Sequence, residues 1–384
     1  MNPRLDWLRE RVGDLSQLGD IRRLRPVEGP EAGMDLVELF TPAGLWFEVI
    51  PGRGLNIGRA TYLGVPLAFR TAAGDWAASF FEPEGLGWLR TFAGGLLVTC
   101  GLTYAGAPDV DRGQALGLHG RVSNIPARYV SLLSGARSDS GSQTGAAPGP
   151  DGVHVLEVRG TVREAHLFGP NVELRRVVRT YLDRPVIEIE DEVENLGYEP
   201  ADHMIVYHFN FGFPLVDESA RLVIPSTSVQ PRDEAAARGV DCWNLLEPPQ
   251  PGMAEQVFYH RLSAGADGFA HVVLANPKLA PGMGMAGLAA QEWPEAARGI
   301  GVRLSYDTST LPILVQWKLC ASGAYVLGLE PANCHVEGRS KERERGSLVV
   351  LAPGEVRRYR LRLEMFAGRR AVEQALQAVG APRA

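Results

Sequence analysis

Apolar and polar residues alternate along most of the chain with the period of two that is typical of β-strands. In residues 186–194, for example, the glutamates at even positions fall on one face, and Ile187, Ile189 and Val193 fall on the other. This pattern predicts an antiparallel sheet with one face in water. Similar patterns predict strands at 36–40, 46–50, 154–158, 175–181, 204–209, 270–274, 301–306, 313–319, 325–329, 347–351 and 357–365.

At the two ends of the chain, apolar residues recur with the period of an α-helix. Apolar residues spaced three and four apart predict a short helix within residues 5–18, and residues 371–379, between Gly368 and Gly380, predict another. Strands and helices do not alternate between these ends, so we expect an all-β fold, a large antiparallel β-sandwich with short terminal helices. We expect a single domain over residues 1–384. The Gly-, Ser-, Ala- and Pro-rich residues 134–152 predict a flexible surface loop, with an interdomain linker as the alternative.

Charge and composition narrow the possible partners. The chain has 39 Lys and Arg against 45 Asp and Glu, a net charge of −6, and the basic residues are scattered. Nucleic acid is therefore not an expected partner.

The sequence has neither a signal-peptide pattern nor an apolar stretch long enough to span a membrane, so we expect no membrane association and a cytoplasmic location. The four cysteines form no C-x-x-C pair, which favours buried thiols over a metal or redox site.

One glycine motif suggests a nucleotide cofactor only superficially. Residues 282–287 satisfy G-x-G-x-x-G, but Pro277, Pro281 and Pro294 interrupt the strand–turn–helix context that a dinucleotide site needs. We expect a loop here and predict no cofactor.

Three segments carry candidate chemistry. His208 and Asn210 share one face of a strand that is rich in aromatic residues, and Glu330 follows an apolar run directly before Pro331. His119 lies between glycines in a predicted turn. Each has a structural alternative: a hydrogen-bonded pair in an aromatic core, a solvated carboxylate and a surface histidine. Together they would provide an acid, a base and a hydrogen-bond donor, enough to move protons on and off a sugar ring.

Six segments resemble a known family. They are 53–58 (RGLNIG), 81–90 (FEPEGLGWLR), 94–102 (GGLLVTCGL), 118–121 (LHGR), 207–212 (YHFNFG) and 329–333 (LEPAN). The chain resembles the aldose 1-epimerase (galactose mutarotase-like) superfamily and, within it, the bacterial subgroup DUF4432. The resemblance implies a supersandwich of antiparallel strands with an open cleft. It also implies that Glu330 acts as the base on the anomeric hydroxyl, that His208 protonates the ring oxygen, and that His119 donates a hydrogen bond to the sugar.

The chain departs from the mutarotase pattern at the residues expected to recognise the substrate. Tyr207 replaces the asparagine before the acid histidine, and Arg70 and Arg90 are approximate counterparts of an arginine upstream of the H-G turn. Arg121 and Lys318 could bind an anionic substituent; surface cations are the alternative.

We therefore predict a mutarotase-like isomerase acting on a monosaccharide or a sugar acid, with Arg121, Asn210, Arg90, Arg70, Lys318 and Trp317 as substrate-binding residues. The first alternative is a carbohydrate-binding protein without efficient turnover. The second is a lyase or hydrolase, which would need a Tyr–His pair or a second carboxylate close to Glu330; the available residues are Glu82, Glu84, Asp109 and Tyr207. The sequence predicts no metal site and does not define the oligomeric state.

Overall fold

The computed structural model describes Trp7 and residues 10–136, 154–282 and 294–380. The loop predicted at 134–152 and the glycine motif at 282–287 lie almost entirely outside these residues. The strands are β1 (Asp20–Leu24), β2 (Leu36–Phe40), β3 (Leu45–Ile50), β4 (Asn56–Tyr62), β5 (Val65–Pro66), β6 (Leu97–Cys100), β7 (Asp109–Asp111), β8 (Gln114–Leu116), β9 (Arg128–Ala136), β10 (His154–Ala165), β11 (Asn171–Tyr181), β12 (Val186–Asn195), β13 (Ala201–His203), β14 (Val206–Gly212), β15 (Arg221–Val223), β16 (Ser226–Pro231), β17 (Gln256–Leu262), β18 (Phe269–Asn276), β19 (Ile300–Asp307), β20 (Ile313–Ala321), β21 (Ala324–Ala332), β22 (Val349–Leu351) and β23 (Val356–Ala367).

The helices are few and short. They are α1 (Glu234–Ala237), α2 (Arg339–Arg345) and α3 (Arg369–Gly380), with 3₁₀ turns at Leu15–Gln17, Pro51–Arg53, Ala78–Phe80, Gly87–Thr91, Val122–Asn124, Val240–Cys242 and Glu295–Ala297. None of these helices has both the length and the apolar character needed to cross a bilayer.

Two large antiparallel sheets form the body of the described structure. The first has 11 strands in the order β1-β2-β3-β4-β6-β14-β21-β20-β17-β16, with β5 paired to β4. The second has 8 strands in the order β15-β18-β19-β23-β12-β11-β10-β9. The described strands thus confirm the predicted all-β class.

The main core lies between these two sheets. Side chains from both contribute to one buried apolar cluster, including Phe47 and Phe209 from the first sheet and Leu174 and Leu363 from the second. A second buried cluster lies on the other face of the first sheet, because alternate residues of its strands point away from the main core. In β14, Tyr207 and Phe209 belong to the main core, whereas Val206 belongs to this second cluster.

The ends of the chain agree with the helical prediction to different degrees. The C-terminal helix is confirmed as α3, which buries Val372 and Val379 against Val273 and Ala275 of β18. At the N-terminus, much of the predicted helix at 5–18 lies outside the described residues. The described residues 10–18 contain a 3₁₀ turn at Leu15–Gln17, which Asp14 caps by accepting a hydrogen bond from the backbone N–H of Ser16.

Candidate active site

His208 and Glu330 meet on the face of the first sheet that points away from the main core. His208 lies in β14 and Glu330 in β21, and these strands pair with Phe209 opposite Leu329 and Asn210 opposite Gly328. The pairing brings Nε2 of His208 to 3.3 Å from Oε1 of Glu330. Both side chains are buried. Two titratable residues that are far apart in sequence are thus in direct contact.

Gly328 makes room for the Glu330 carboxyl group. A Cβ atom at this position would lie 2.5 Å from Oε1 of Glu330 and 2.9 Å from Cβ of Trp317, which is opposite Gly328 on β20. Real Cβ atoms do not approach other atoms so closely. The absent side chain is therefore what allows the carboxyl group to lie over the strand.

His119 completes the cluster from a turn between β8 and the 3₁₀ turn at Val122–Asn124. Its ring centroid lies 5.6 Å from that of His208, with the two planes nearly perpendicular. The turn is held by the backbone N–H of His119, which donates to the carbonyl of Gly106. Gly120 is required here, because its φ is +73° and a Cβ atom would lie 2.1 Å from the carbonyl oxygen of Tyr104.

Aromatic side chains wall this cluster. The Trp317 ring lies 5.5 Å from His208, and Phe92 lies 6.1 Å from it. Trp88 stacks on Phe92 at 4.5 Å and lies 4.8 Å from His119. Apolar walls with a few placed polar groups are typical of small-molecule sites, and aromatic faces suit the C–H faces of sugar rings.

A buried arginine is hydrogen-bonded to the loops that carry His119 and Trp88. Arg53 donates hydrogen bonds to the carbonyls of Ser123, Trp76 and Thr91 and to the side chain of Asn124. Trp88 in turn donates from Nε1 to the hydroxyl of Ser123. Burial lowers the pKa of Arg53 to about 10, so the guanidinium stays charged near neutral pH.

Burial shifts the pKa of Glu330 and the pKa values of the two histidines in opposite directions. It raises the pKa of Glu330 well above its ordinary value, and the charge of Glu255 adds to this effect while Arg232 opposes it. Burial lowers the pKa of His208 to about 3, with a further contribution from His119, and lowers the pKa of His119 to about 4. The neutral imidazoles and the protonated carboxyl group are therefore the favoured forms.

Several buried polar atoms of the cluster have no hydrogen-bond partner among the described residues. They are Oε1 of Glu330, Nδ1 of His208, Nδ1 of His119 and Oδ1 of Asn210. The 3.3 Å approach of His208 to Glu330 lacks hydrogen-bond geometry. An unpaired buried polar group costs about 1–3 kcal/mol, so such a concentration suits a ligand with several hydroxyl groups.

Asn210 and Trp317, two of the predicted binding residues, lie at the cluster. Asn210 is fully buried and donates from Nδ2 to the carbonyls of Gly95 and His208, and its side chain raises the pKa of His208, an effect that burial outweighs. Trp317 donates from Nε1 to Glu255, which is paired with Arg232. Glu255 and Arg232 are not among the residues predicted from sequence, because nothing in their local pattern relates them to β20.

The structure does not bring Lys318 to the cluster. Adjacent residues of a strand face opposite sides, so Lys318 points away from the face that Trp317 occupies. Its side chain is fully buried, and Nζ lies 2.9 Å from Glu247 and donates to the carbonyl of Cys242. This pairing corrects the expectation that Lys318 contacts substrate.

The three predicted arginines are placed differently from one another. Arg121 follows Gly120, is exposed, and has no ion-pair partner among the described residues. Arg90 is exposed and lies 3.4 Å from Glu82. Arg70 donates to Asp75 at 2.6 Å and lines a separate cavity next to the cluster.

The residues that a lyase or hydrolase would need do not pair with Glu330 in the described structure. Tyr207 faces the main core and donates to Asp191 at 2.7 Å. Asp109 accepts hydrogen bonds from Ser340. Glu82 is paired with Arg90, and Glu84 is exposed. The contact that the described structure gives Glu330 with a titratable side chain is the one with His208.

Comparison with known proteins is consistent with this geometry. Residues 31–365 match the family described as a domain of unknown function, DUF4432. No curated protein matches the chain in sequence.

Similar solved structures come from several bacteria. A provisionally assigned aldose 1-epimerase from Klebsiella pneumoniae subsp. pneumoniae MGH 78578 has a TM-score of 0.80 at 24% identity, over 94% of this chain and 87% of that one. A galactose mutarotase-like protein from Clostridium acetobutylicum has a TM-score of 0.57 at 12% identity, over 91% and 99%. Galactose 1-epimerase from Lactobacillus acidophilus NCFM has a TM-score of 0.54 at 12% identity, over 91% and 99%. At these identities the similarity establishes the fold, which is that of the galactose mutarotase-like proteins.

Proposed function

The chain belongs to the DUF4432 family, and we propose that it is an aldose 1-epimerase, an isomerase that interconverts the two anomers of a sugar by opening and closing the ring. The observation that carries the proposal is the buried contact between His208 and Glu330, at 3.3 Å, within aromatic walls. The reaction needs one group that removes the proton of the anomeric hydroxyl and another that delivers a proton to the ring oxygen. This pair supplies both.

The proposed reaction uses the one proton that Glu330 and His208 share and returns it at the end. The step starts from the state in which Glu330 is ionised and His208 carries the proton of the pair. Glu330 takes the proton of the anomeric O–H as the C1–O1 bond becomes a carbonyl, and the bond between C1 and the ring oxygen breaks. His208 gives its proton to that oxygen. Rotation about the C1–C2 bond presents the other face of the aldehyde, and closure with the proton transfers reversed gives the other anomer. The pair ends with the proton it started with, so the cycle needs no co-reactant.

His119, Asn210 and Trp317 are the proposed substrate-binding residues closest to this pair. His119 lies beside His208 and has a buried ring nitrogen free for a sugar hydroxyl. Trp317 offers an aromatic face, and Asn210 a buried carbonyl oxygen. For a sugar acid, Arg121 is the proposed partner of the anionic group, since it adjoins the His119 turn and has no carboxylate partner among the described residues.

The test is exchange between the two anomers, followed by the C1 proton signals in NMR with a panel of aldoses and sugar acids. We expect acceleration with one substrate class, and a loss of about 10²–10⁴-fold in Glu330→Gln and in His208→Gln. Matched controls are Glu173→Gln on β11 and His271→Gln on β18, both in the second sheet, which should keep the wild-type rate.

The outcomes separate the two functional hypotheses. If Glu330→Gln still accelerated anomeric exchange, Glu330 would not be the base. Saturable sugar binding with no acceleration would instead make the protein a carbohydrate-binding protein.

A further inference from the structure

A cavity of about 490 Å³ opens beside the candidate active site. Its size falls in the range of about 300–1,000 Å³ that is usual for small-molecule sites. It is lined by residues from the ends of β14 and β21 and from the segments next to them, among them Phe69, Arg70, Phe213, Asp217, Glu218 and Tyr325.

The cavity adjoins a wall of the candidate active site through one lining residue. Phe69 lines it and also packs edge-on against Trp317, with the ring centroids 6.2 Å apart. Gly212, four residues beyond His208 on β14, forms part of its lining. Four residues of strand span about 13 Å, which is more than one pyranose ring covers and within the reach of two linked rings.

The chemistry of the lining suits a sugar ring better than an anion. Nη1 of Arg70 is buried and has no hydrogen-bond partner among the described residues, although Nη2 is paired with Asp75. Asp217 and Glu218 add acceptors and disfavour a negatively charged occupant. A lining that combines a guanidinium donor with carboxylate acceptors matches the hydroxyl groups of a saccharide.

Aromatic side chains give this cavity its apolar surface. Phe213 is 54% exposed, so its ring is accessible to an occupant of the cavity. The hydroxyl of Tyr325 is already engaged as a donor to the carbonyl of Glu247, so its ring is what it can offer to an occupant. Gly212 cannot be replaced by a larger residue without conflict, since a Cβ atom there would lie 2.8 Å from Cα of Phe69.

We propose that this cavity binds a second sugar unit, so that the preferred substrate is a reducing disaccharide whose reducing ring lies at His208 and Glu330. This inference rests on the proposed function for its catalytic part. The non-reducing ring would lie in the cavity, with Arg70 donating to one of its hydroxyl groups and Phe213 packing against its face.

The experiment compares anomeric exchange for glucose and galactose with that for maltose, cellobiose, lactose and melibiose. Ala321→Trp fills the cavity from the lining, and Phe213→Ala removes its exposed aromatic face. We expect each variant to lower kcat/KM for the preferred disaccharide at least tenfold and to change that for the monosaccharide less than twofold. Ala352→Trp, at an exposed position before β23, is the control for a new surface tryptophan.

Binding provides a readout that does not depend on turnover. The methyl glycosides of the same disaccharides cannot mutarotate, and their saturation-transfer NMR signals report occupancy alone. We expect Arg70→Gln and Ala321→Trp to weaken these signals at the non-reducing ring. Equal kcat/KM for monosaccharides and disaccharides, unaffected by Ala321→Trp and Phe213→Ala, would overturn the inference and leave the proposed function intact.

The remaining outcomes separate the two proposals. Binding of a methyl disaccharide that Ala321→Trp weakens, with no acceleration of any sugar, would keep the cavity as a saccharide site and remove the epimerase proposal. The absence of both binding and acceleration across the panel would overturn the cavity assignment as well.

Discussion

For single residues, burial sets where the proton of the Glu330–His208 pair resides. Burial raises the pKa of the carboxyl group and lowers the pKa of the imidazole, so the proton stays on Glu330. A bound hydroxyl that donates to Oε1 stabilises the carboxylate form and lowers its pKa. Substrate binding would therefore favour transfer of the proton to His208, the state from which ring opening begins.

Because the carboxyl group of Glu330 is costly to ionise, Glu330→Gln should stabilise the fold increasingly as the pH rises. The folded-state pKa of Glu330 lies above the ordinary value of 4.5. The folded state thus holds the proton where the unfolded chain releases it, so the stability that Glu330 contributes is full below about pH 4.5 and is lost as the pH rises through the folded-state pKa. Glutamine does not titrate.

We expect the Tm of Glu330→Gln minus that of the wild type to grow between pH 5 and pH 8. Thermal unfolding followed by circular dichroism measures this difference. Glu173→Gln controls for the loss of a carboxylate as such. A difference that stays constant or shrinks with rising pH would show that Glu330 ionises without penalty in the folded protein.

For individual strands, alternation determines which side chains reach the site and which do not. The periods of β14, β20 and β21 could be predicted from sequence, and so could the shared face of His208 and Asn210. The prediction that Trp317 and Lys318 both bind substrate conflicts with the same alternation, since adjacent residues face opposite sides, and of the two it is Trp317 that lies beside His208. The contact between Glu330 and His208 could not be derived from local pattern, because it depends on which strands pair.

Gly328 gives a test of this strand arrangement. In Gly328→Ala the new Cβ would lie against Oε1 of Glu330 and Cβ of Trp317, so the carboxyl group must move away from His208. We expect a loss of anomeric exchange of at least tenfold with the sheet retained, measured by NMR and circular dichroism. Gly135→Ala on β9 is the matched control, since a Cβ atom there would have nothing within 4 Å. Equal activity in the two variants would contradict the steric role of Gly328.

For the whole molecule, the face of the first sheet opposite the site is joined to the second sheet by a buried polar network. Arg176 of β11 is paired with Asp191 of β12, and both side chains are fully buried. Tyr207 of β14 donates to Asp191, and Arg176 donates to the carbonyl of Leu55. Tyr207 departs from the mutarotase pattern, and this contact gives it a role in joining the sheets. Sequence predicted the strands but not this network, which needs their order in space.

Replacing Asp191 alone should destabilise the protein more than replacing Asp191 and Arg176 together. Asp191→Leu leaves the Arg176 guanidinium buried without its carboxylate, which we expect to cost about 3–5 kcal/mol in the free energy of unfolding. The double variant Arg176→Met with Asp191→Leu removes both charges, so its cost should be smaller. Urea unfolding measures both. If the single variant were no less stable than the double variant, Arg176 would not depend on Asp191 in the folded state.

Tyr207→Phe tests whether this network affects only the stability of the protein or also its anomeric exchange. It removes a hydrogen bond to a charged group, which is worth about 1.5–3 kcal/mol, and it leaves the Asp191–Arg176 pair in place. Because Tyr207 and His208 face opposite sides of the sheet, we expect the variant to lose stability while its anomeric exchange at 25 °C stays within twofold of the wild type. A loss of exchange comparable to that of Glu330→Gln would mean that the two faces are coupled through β14, and that the residue before His208 acts on the site despite facing away from it.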